Sequence, residues 1–314
     1  MASQAIELPC RVAKAFAPPT DLVAAFFAGR NPRTLEAYRQ DLADFRVFLG
    51  AEDVAEAVEI LLARGNGAAN SLALAYRSHL VERGLQAATV NRRLAAVRSL
   101  VKLARTVGLV SWALDVGNLR SENYRDTRGP GRQGFRRLLD ELEARTDPKG
   151  VRDRCMLRFL YDLALRRAEV CSLDLEHVDL EAGRIAIMGK GRSQREWLSL
   201  PVATSAVLAA WVAVRGDGPG PLFVNFDRAG KGNRLTGTGL YLLVRSLGEK
   251  AGIKVRPHGL RHAGITAALD LTNGNLRTVQ RFSRHRDVRV LSRYDDNRAD
   301  LGGDVAKLVA ADAL

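Results

Sequence analysis

Arg166, Lys190, His258, Arg261 and His285 precede Tyr294 in the chain, and together these side chains are of the types needed to work on a single phosphate. A phosphodiester resists attack because it is anionic and its leaving alkoxide is poor. A catalyst must therefore stabilise added negative charge and protonate the departing oxygen. Arg166 and Arg261 suit the first task, because a guanidinium stays protonated and its planar fork meets non-bridging oxygens in a way lysine cannot reproduce. His258 lies three residues before Arg261, so within a helix the two share a face and can address one phosphate. A tyrosine downstream of such cations reads as a nucleophile. Its phenol, with an ordinary pKa of about 10, needs a neighbouring cation or base to ionise at neutral pH.

The local motifs around these residues are specific. They are Ala164-Leu165-Arg166-Arg167-Ala168-Glu169, Gly189-Lys190-Gly191, His258-Gly259-Leu260-Arg261-His262, and His285 nine positions before Tyr294. In this order and spacing the chain resembles the tyrosine recombinase (phage integrase) family over nearly its whole length. Arg166 falls at the first arginine of that family's Leu-Arg-x-x-Glu motif, and His258 with Arg261 at its His-x-x-Arg pair. Lys190, between Ile185-Ala186-Ile187-Met188 and Trp197-Leu198-Ser199-Leu200, falls where the family carries a lysine on a β-hairpin. Two departures concern backbone rather than reacting groups: Ala164 stands where the family often has Gly, and Ser283-Arg284 where it often has Leu-Gly.

The resemblance implies strand breakage and rejoining through a 3′-phosphotyrosyl bond made by Tyr294, without metal, ATP or another cofactor. His258 would be a hydrogen-bonding or proton-accepting partner, His285 a further phosphate donor, and Lys190 the proton donor to the 5′ oxygen. Glu169 more naturally orients Arg166 than transfers protons, and His262 suits a hydrogen bond in the core. The implied partner is double-stranded DNA with inverted core sites, bound as a dimer on one site and a homotetramer on two. The lack of room for an arm-site-binding domain before the Asn31 helix favours a compact, Xer-like enzyme. A type IB topoisomerase or a DNA-binding regulator without catalysis are the alternatives.

Composition leads the same way. The chain has 314 residues, 46% of them hydrophobic, and a formal net charge of +13, which allows two domains with cores and makes a polyanion the natural partner. Three cysteines without metal-ligand spacing fit a reduced cytoplasmic compartment, and no signal pattern or membrane-length apolar run is present. Gly189-Lys190-Gly191 lacks the Ser or Thr of a P-loop, and 295–306 lacks the glycine and glutamate of a calcium loop.

The elements that must position these residues are mainly helical. Asn31-Pro32 opens a helix with Leu35, Tyr38, Leu42, Phe45 and Leu49 on one face; shorter or parallel patterns cover 21–27 and 70–83. From Thr89 another helix turns Val90, Leu94, Val97 and Val101 inward and leaves Arg98, Lys102 and Arg105 as a stripe. Arg92, Arg98 and Lys102 are candidate DNA contacts, with Arg128 in the basic, Gly- and Pro-containing stretch that follows. An apolar helix from Met156 to Leu165 would deliver Arg166, a hairpin would carry Lys190, and helices would resume near Thr204, Thr238 and His258. Val305, Leu308 and Val309 suggest a short amphipathic tail that either folds back or docks on a neighbour. The expected architecture is an N-terminal helical, SAM-like core-binding domain at 1–110, a basic linker at 111–134, and a mostly α catalytic domain with a small antiparallel sheet at 135–314.

Overall fold

The computed structural model of the protein describes residues 19–29, 32–120, 129–189, 194–227, 230–293 and 301–312. It is mostly helical, with one small antiparallel sheet, and divides into two compact units, 1–123 and 124–314. Among the described residues no helix is long and apolar enough to cross a membrane.

The first unit consists of α1 (Pro19–Phe27), α2 (Pro32–Leu49), α3 (Val54–Leu62), α4 (Asn66–Glu82) and α5 (Ala87–Thr106). The inward faces are those that apolar periodicity requires: Leu42 and Phe45 from α2, Tyr76 and Leu80 from α4, and Val90, Leu94, Val97 and Val101 from α5 are all buried in one core. Helix α3 was not expected from its apolar pattern. It starts at a local signal, Asp53, whose carboxylate accepts the Glu56 backbone N–H at 2.8 Å while Glu56 accepts that of Glu52 at 2.5 Å.

The start of the expected linker is part of this core. Leu114 and Val116 are buried in it, and Trp112 and Leu119 pack against it. Side chains from α4 and α5 hold the extended backbone as a strand partner would. Asn70 accepts from Asp115 N at 2.8 Å and donates to Ala113 O at 3.2 Å; Asn91 accepts from Leu119 N at 2.7 Å and donates to Leu119 O at 2.9 Å. Side-chain amides thus hold this stretch at Ala113, Asp115 and Leu119, while 121–128 of the expected linker lie outside the described residues.

The second unit runs α6 (Gly131–Glu143), α7 (Pro148–Tyr161), α8 (Arg167–Cys171), β1 (Val178–Asp179), β2 (Arg184–Met188), β3 (Arg195–Ser199), α9 (Val202–Arg215), α10 (Gly237–Lys250), α11 (Pro257–Leu271), α12 (Leu276–Ser283), a 3₁₀ turn at Val288–Arg293 and α13 (Leu301–Asp312). Side-chain caps start three of these helices: Asp147 accepts from Gly150 N, Thr236 from Gly239 N and Asn275 from Thr278 N, each at 3.0 Å. The sheet has the order β1-β2-β3, with Ile185 opposite Leu198 and Ala186 opposite Trp197. Ile185 and Ile187 enter the main core with Phe159, Trp211, Phe223 and Leu260. Helix α11 packs so closely on the end of α7 that a Cβ on Gly264 would lie 2.2 Å from the Tyr161 carbonyl oxygen. Along α13, Val305, Leu308 and Val309 are 57%, 70% and 64% exposed, so this apolar face does not fold back onto the described residues.

One expectation needs correction. The apolar segment before Arg166 is not a single helix, because α7 ends at Tyr161 and a tight turn follows, with Ala164 in the left-handed region at φ 44°. Leu165 N reaches back to Phe159 O at 3.1 Å, and Leu163, Ala164 and Leu165 are buried. Arg166 is delivered by this turn and becomes the residue that caps α8.

Candidate active site

A small apolar cluster of Ala164, Ile265, Leu269, Val279 and Leu291 draws together the turn before Arg166, α11, α12 and the Val288–Arg293 turn. The polar residues of interest sit around it. Arg166 leaves the turn with its side chain 27% exposed, and its Nη1 donates to Glu169 Oε1 at 2.6 Å while its backbone N–H donates to Glu169 Oε2 at 2.8 Å. Glu169 thus holds both ends of the same residue, which fixes the arginine's direction.

Arg261 comes from the second turn of α11 and is almost fully buried, at 1% exposure. Its guanidinium donates to the backbone carbonyls of Ala164, through Nη1, and of Ser283, through Nη2 at 2.5 Å; its Nη2 also lies 3.4 Å from His285 Nε2. His258 stands exposed one turn earlier on α11, following Pro257 at the helix start. His285 follows the end of α12, where Arg284 adopts a left-handed conformation with φ 57° and ψ 36°. The structure therefore brings Arg166, His258, Arg261 and His285 into one electrostatic neighbourhood. Lys190 and Tyr294 lie outside the described residues; β2 and β3 flank the first, and the Val288–Arg293 turn immediately precedes the second.

The charges differ from a simple row of five cations. Desolvation of the ring by the groups packed around it, followed by the guanidinia of Arg261 and Arg166, lowers the pKa of His258 below its ordinary value even though part of its surface is open. Burial, then Arg261, Arg166, His258 and Arg284, push that of His285 down to about 4. Both shifts favour the neutral imidazole, in which one ring nitrogen donates and the other accepts a hydrogen bond. An arriving phosphate would reverse much of the repulsion that lowers them.

Arg284 was passed over in the sequence because its position read only as a departure from the family pattern. It belongs to this neighbourhood: its side chain is 5% exposed and its Nη2 lies 3.5 Å from Glu169 Oε2. Two left-handed non-glycine residues, Ala164 and Arg284, flank the site, each at a cost of roughly 1–2 kcal/mol. A non-glycine residue at a position where glycine is common was the available signal.

His262 and the acidic turn at Asp174 occupy ordinary structural roles. His262 is buried, its Nδ1 3.5 Å from Thr266 Oγ1. Asp174, Glu176 and His177 are close enough to one another to share a cation, but His177 Nδ1 accepts the Asp174 backbone N–H at 2.8 Å and Asp174 pairs with Arg234. His177 is thus bonded within a cap. In the first unit Arg92 pairs with Asp41 at 2.7 Å, and Arg98 donates to Val116 O at 2.5 Å and Asn118 Oδ1 at 2.7 Å. Arg98, Lys102 and Arg105 line a shallow cleft of about 470 Å³ with Thr106, Ala113 and Leu114. Arg128 lies outside the described residues.

Comparison with known proteins accounts for both units. Residues 132–300 match the phage integrase family, and residues 26–107 match the phage integrase N-terminal SAM-like domain. A tyrosine recombinase of Synechocystis sp. is 38% identical over 90% of this chain and 91% of its own length. The tyrosine recombinase XerC of Xylella fastidiosa is 31% identical over 87% of this chain and 91% of its own. Two solved structures share the fold. The XerH site-specific recombinase bound to palindromic difH substrate has a TM-score of 0.66 at 19% identity, covering 92% of this chain and 85% of that one. The Tn1549 transposon integrase in complex with transposon right end DNA has a TM-score of 0.68 at 14% identity, covering 93% and 100%. With its helical SAM-like unit, its mostly helical second unit and these relatives, the chain belongs to the phage integrase family of tyrosine recombinases.

Proposed function

We propose that this site-specific recombinase breaks and rejoins DNA through covalent attachment of one strand end to Tyr294. The observation that carries the reading is the pair Arg166 and Arg261, held beside His285 on one turn and one helix end, with Arg261 bonded to backbone carbonyls. The two guanidinia bind the non-bridging oxygens of the scissile phosphate and stabilise the charge that grows on them. The Tyr294 phenolate oxygen forms a bond to phosphorus, the bond from phosphorus to the 5′ oxygen breaks, and Lys190 gives its proton to that oxygen. A 3′-phosphotyrosyl linkage and a free 5′-hydroxyl result. The neutral imidazole of His258 accepts the phenol proton, and His285 donates a hydrogen bond to the phosphate. Attack by a 5′-hydroxyl from another strand reverses the bond changes and completes exchange, so the linkage conserves the phosphoester energy without ATP. The positive charge needed at phosphorus comes from arginine, and added metal is not required.

The DNA is a duplex core site with inverted arms. XerH bound to palindromic difH and a lambda integrase dimer bound to a core site support a dimer on one site, and joining two such sites makes a tetramer. Arg92, Arg98, Lys102 and Arg128 serve as backbone contacts. A nicked suicide substrate tests the chemistry: wild-type protein should form a denaturation-resistant adduct in chelator, and Tyr294→Phe and Arg166→Ala should not. An adduct with Tyr294→Phe would move the nucleophile elsewhere. Relaxation of supercoils by a protein that cannot join paired sites would point to a topoisomerase instead.

A further inference from the structure

We propose that Arg284 is a positioning residue, whose guanidinium clamps the turn at Leu163 and Ala164 to the end of α12 and so sets the placement of Arg166 and Arg261. The inference rests on the reading of those two arginines as the phosphate-binding pair. Arg284 Nη1 donates to Leu163 O at 3.1 Å and Phe282 O at 2.8 Å, and its Nη2 to Leu163 O at 3.1 Å and Ala164 O at 2.9 Å. The same group lies 3.5 Å from Glu169, the carboxylate that orients Arg166.

Both phosphate-binding arginines hang from atoms that this clamp holds. The Ala164 carbonyl accepts from Arg284 and from Arg261, while the carbonyl of Arg284 itself accepts from Arg166 Nη2 at 3.3 Å. Ala164 and Arg284 are both left-handed, a conformation that L side chains adopt only where surrounding bonds over-determine it. The guanidinium supplies those bonds across two segments about 120 residues apart in sequence. Lysine can keep the charge, but a single ammonium lacks the planar fork that reaches three carbonyls at once.

The test separates binding from chemistry. Arg284→Gly relieves the left-handed backbone and removes the clamp; Arg284→Lys keeps the charge and loses the fork. Site affinity is measured by titrating labelled core-site DNA, and cleavage by single-turnover adduct formation on a nicked substrate at saturating protein, below the unfolding temperature of each variant. Misplacement of the phosphate-binding pair predicts cleavage slowed by about 100-fold in Arg284→Gly and by an intermediate factor in Arg284→Lys, with site affinity changed less than about threefold. Wild-type cleavage by folded Arg284→Gly, or equal losses of affinity and cleavage, would overturn the proposal. If the glycine variant does not fold, the lysine variant decides, and wild-type cleavage by it overturns the proposal as well. Tyr294→Phe and Arg166→Ala run in parallel. Adducts with these two would remove the underlying reading, whereas their loss beside unimpaired Arg284 variants removes only the positioning role.

Discussion

One cluster of arginines in each unit is held by different means. In the first, Arg92 meets Asp41 at 2.7 Å, Arg93 meets Asp44 at 2.6 Å, and Arg83 meets Asp44 at 2.9 Å, so each guanidinium faces a carboxylate. In the second, Arg261 is fixed by the carbonyls of Ala164 and Ser283, and Arg284 largely by those of Leu163, Ala164 and Phe282. A carboxylate both positions an arginine and neutralises it. A carbonyl positions it while leaving its charge to act on something else. Around the Ala164 turn, Arg166 lies 2.6 Å and Arg284 3.5 Å from Glu169, while Arg261 donates to the carbonyls of Ala164 and Ser283.

The largest break in this comparison should come from Arg261→Lys. The substitution keeps the charge but cannot span two carbonyls, so single-turnover cleavage should fall by about 10²–10³-fold, as for loss of a donor to a developing oxyanion. Circular dichroism should show an unchanged fold. Cleavage within a few-fold of wild type would mean that the fork geometry is irrelevant.

A smaller effect is expected on the other side. Burial, outweighing the nearby Arg92 and Arg93, raises the pKa of the Asp41 carboxyl above its ordinary value. Asp41→Asn keeps an acceptor for Arg92 but gives up the charge, and should cost about 1–3 kcal/mol in chemical denaturation. It should also free positive charge and steepen the salt dependence of DNA binding. An unchanged salt slope would place that helix face away from the duplex.

A third signal is a stability change in acid. His285 has a folded pKa of about 4, below its ordinary value of 6.5. Between these values the unfolded chain binds more protons, so stability falls as pH drops from about 6.5 and the loss is complete below about 4. Replacing His285 with Asn should flatten that part of a stability profile measured by urea titration. A profile equally steep in the variant would assign the acid response to other groups.

Sequence legibility followed the same division. The faces of α2, α4 and α5 were readable because each buries a regular apolar stripe, and the β2–β3 hairpin because its strands alternate or run apolar between turn residues. Helix α12 was not foreseen: Leu276-Arg277-Thr278-Val279-Gln280-Arg281-Phe282-Ser283 is short and polar, and only Val279 and Ser283 are buried. The end of α7 was misread for the opposite reason. Met156 to Leu165 contains no Gly or Pro, so the one hint of a left-handed residue at Ala164 is that the family often has glycine there.

The order and types of the reacting residues, and hence the family and its chemistry, were determined by the linear chain, because motif spacing survives without coordinates. The left-handed turn, the lowered pKa values of the two histidines and the carbonyl bonds of Arg284 were decided only by tertiary structure. Each depends on guanidinia meeting carbonyls and imidazoles that lie about 20 to 120 positions away, a relation that no local pattern encodes.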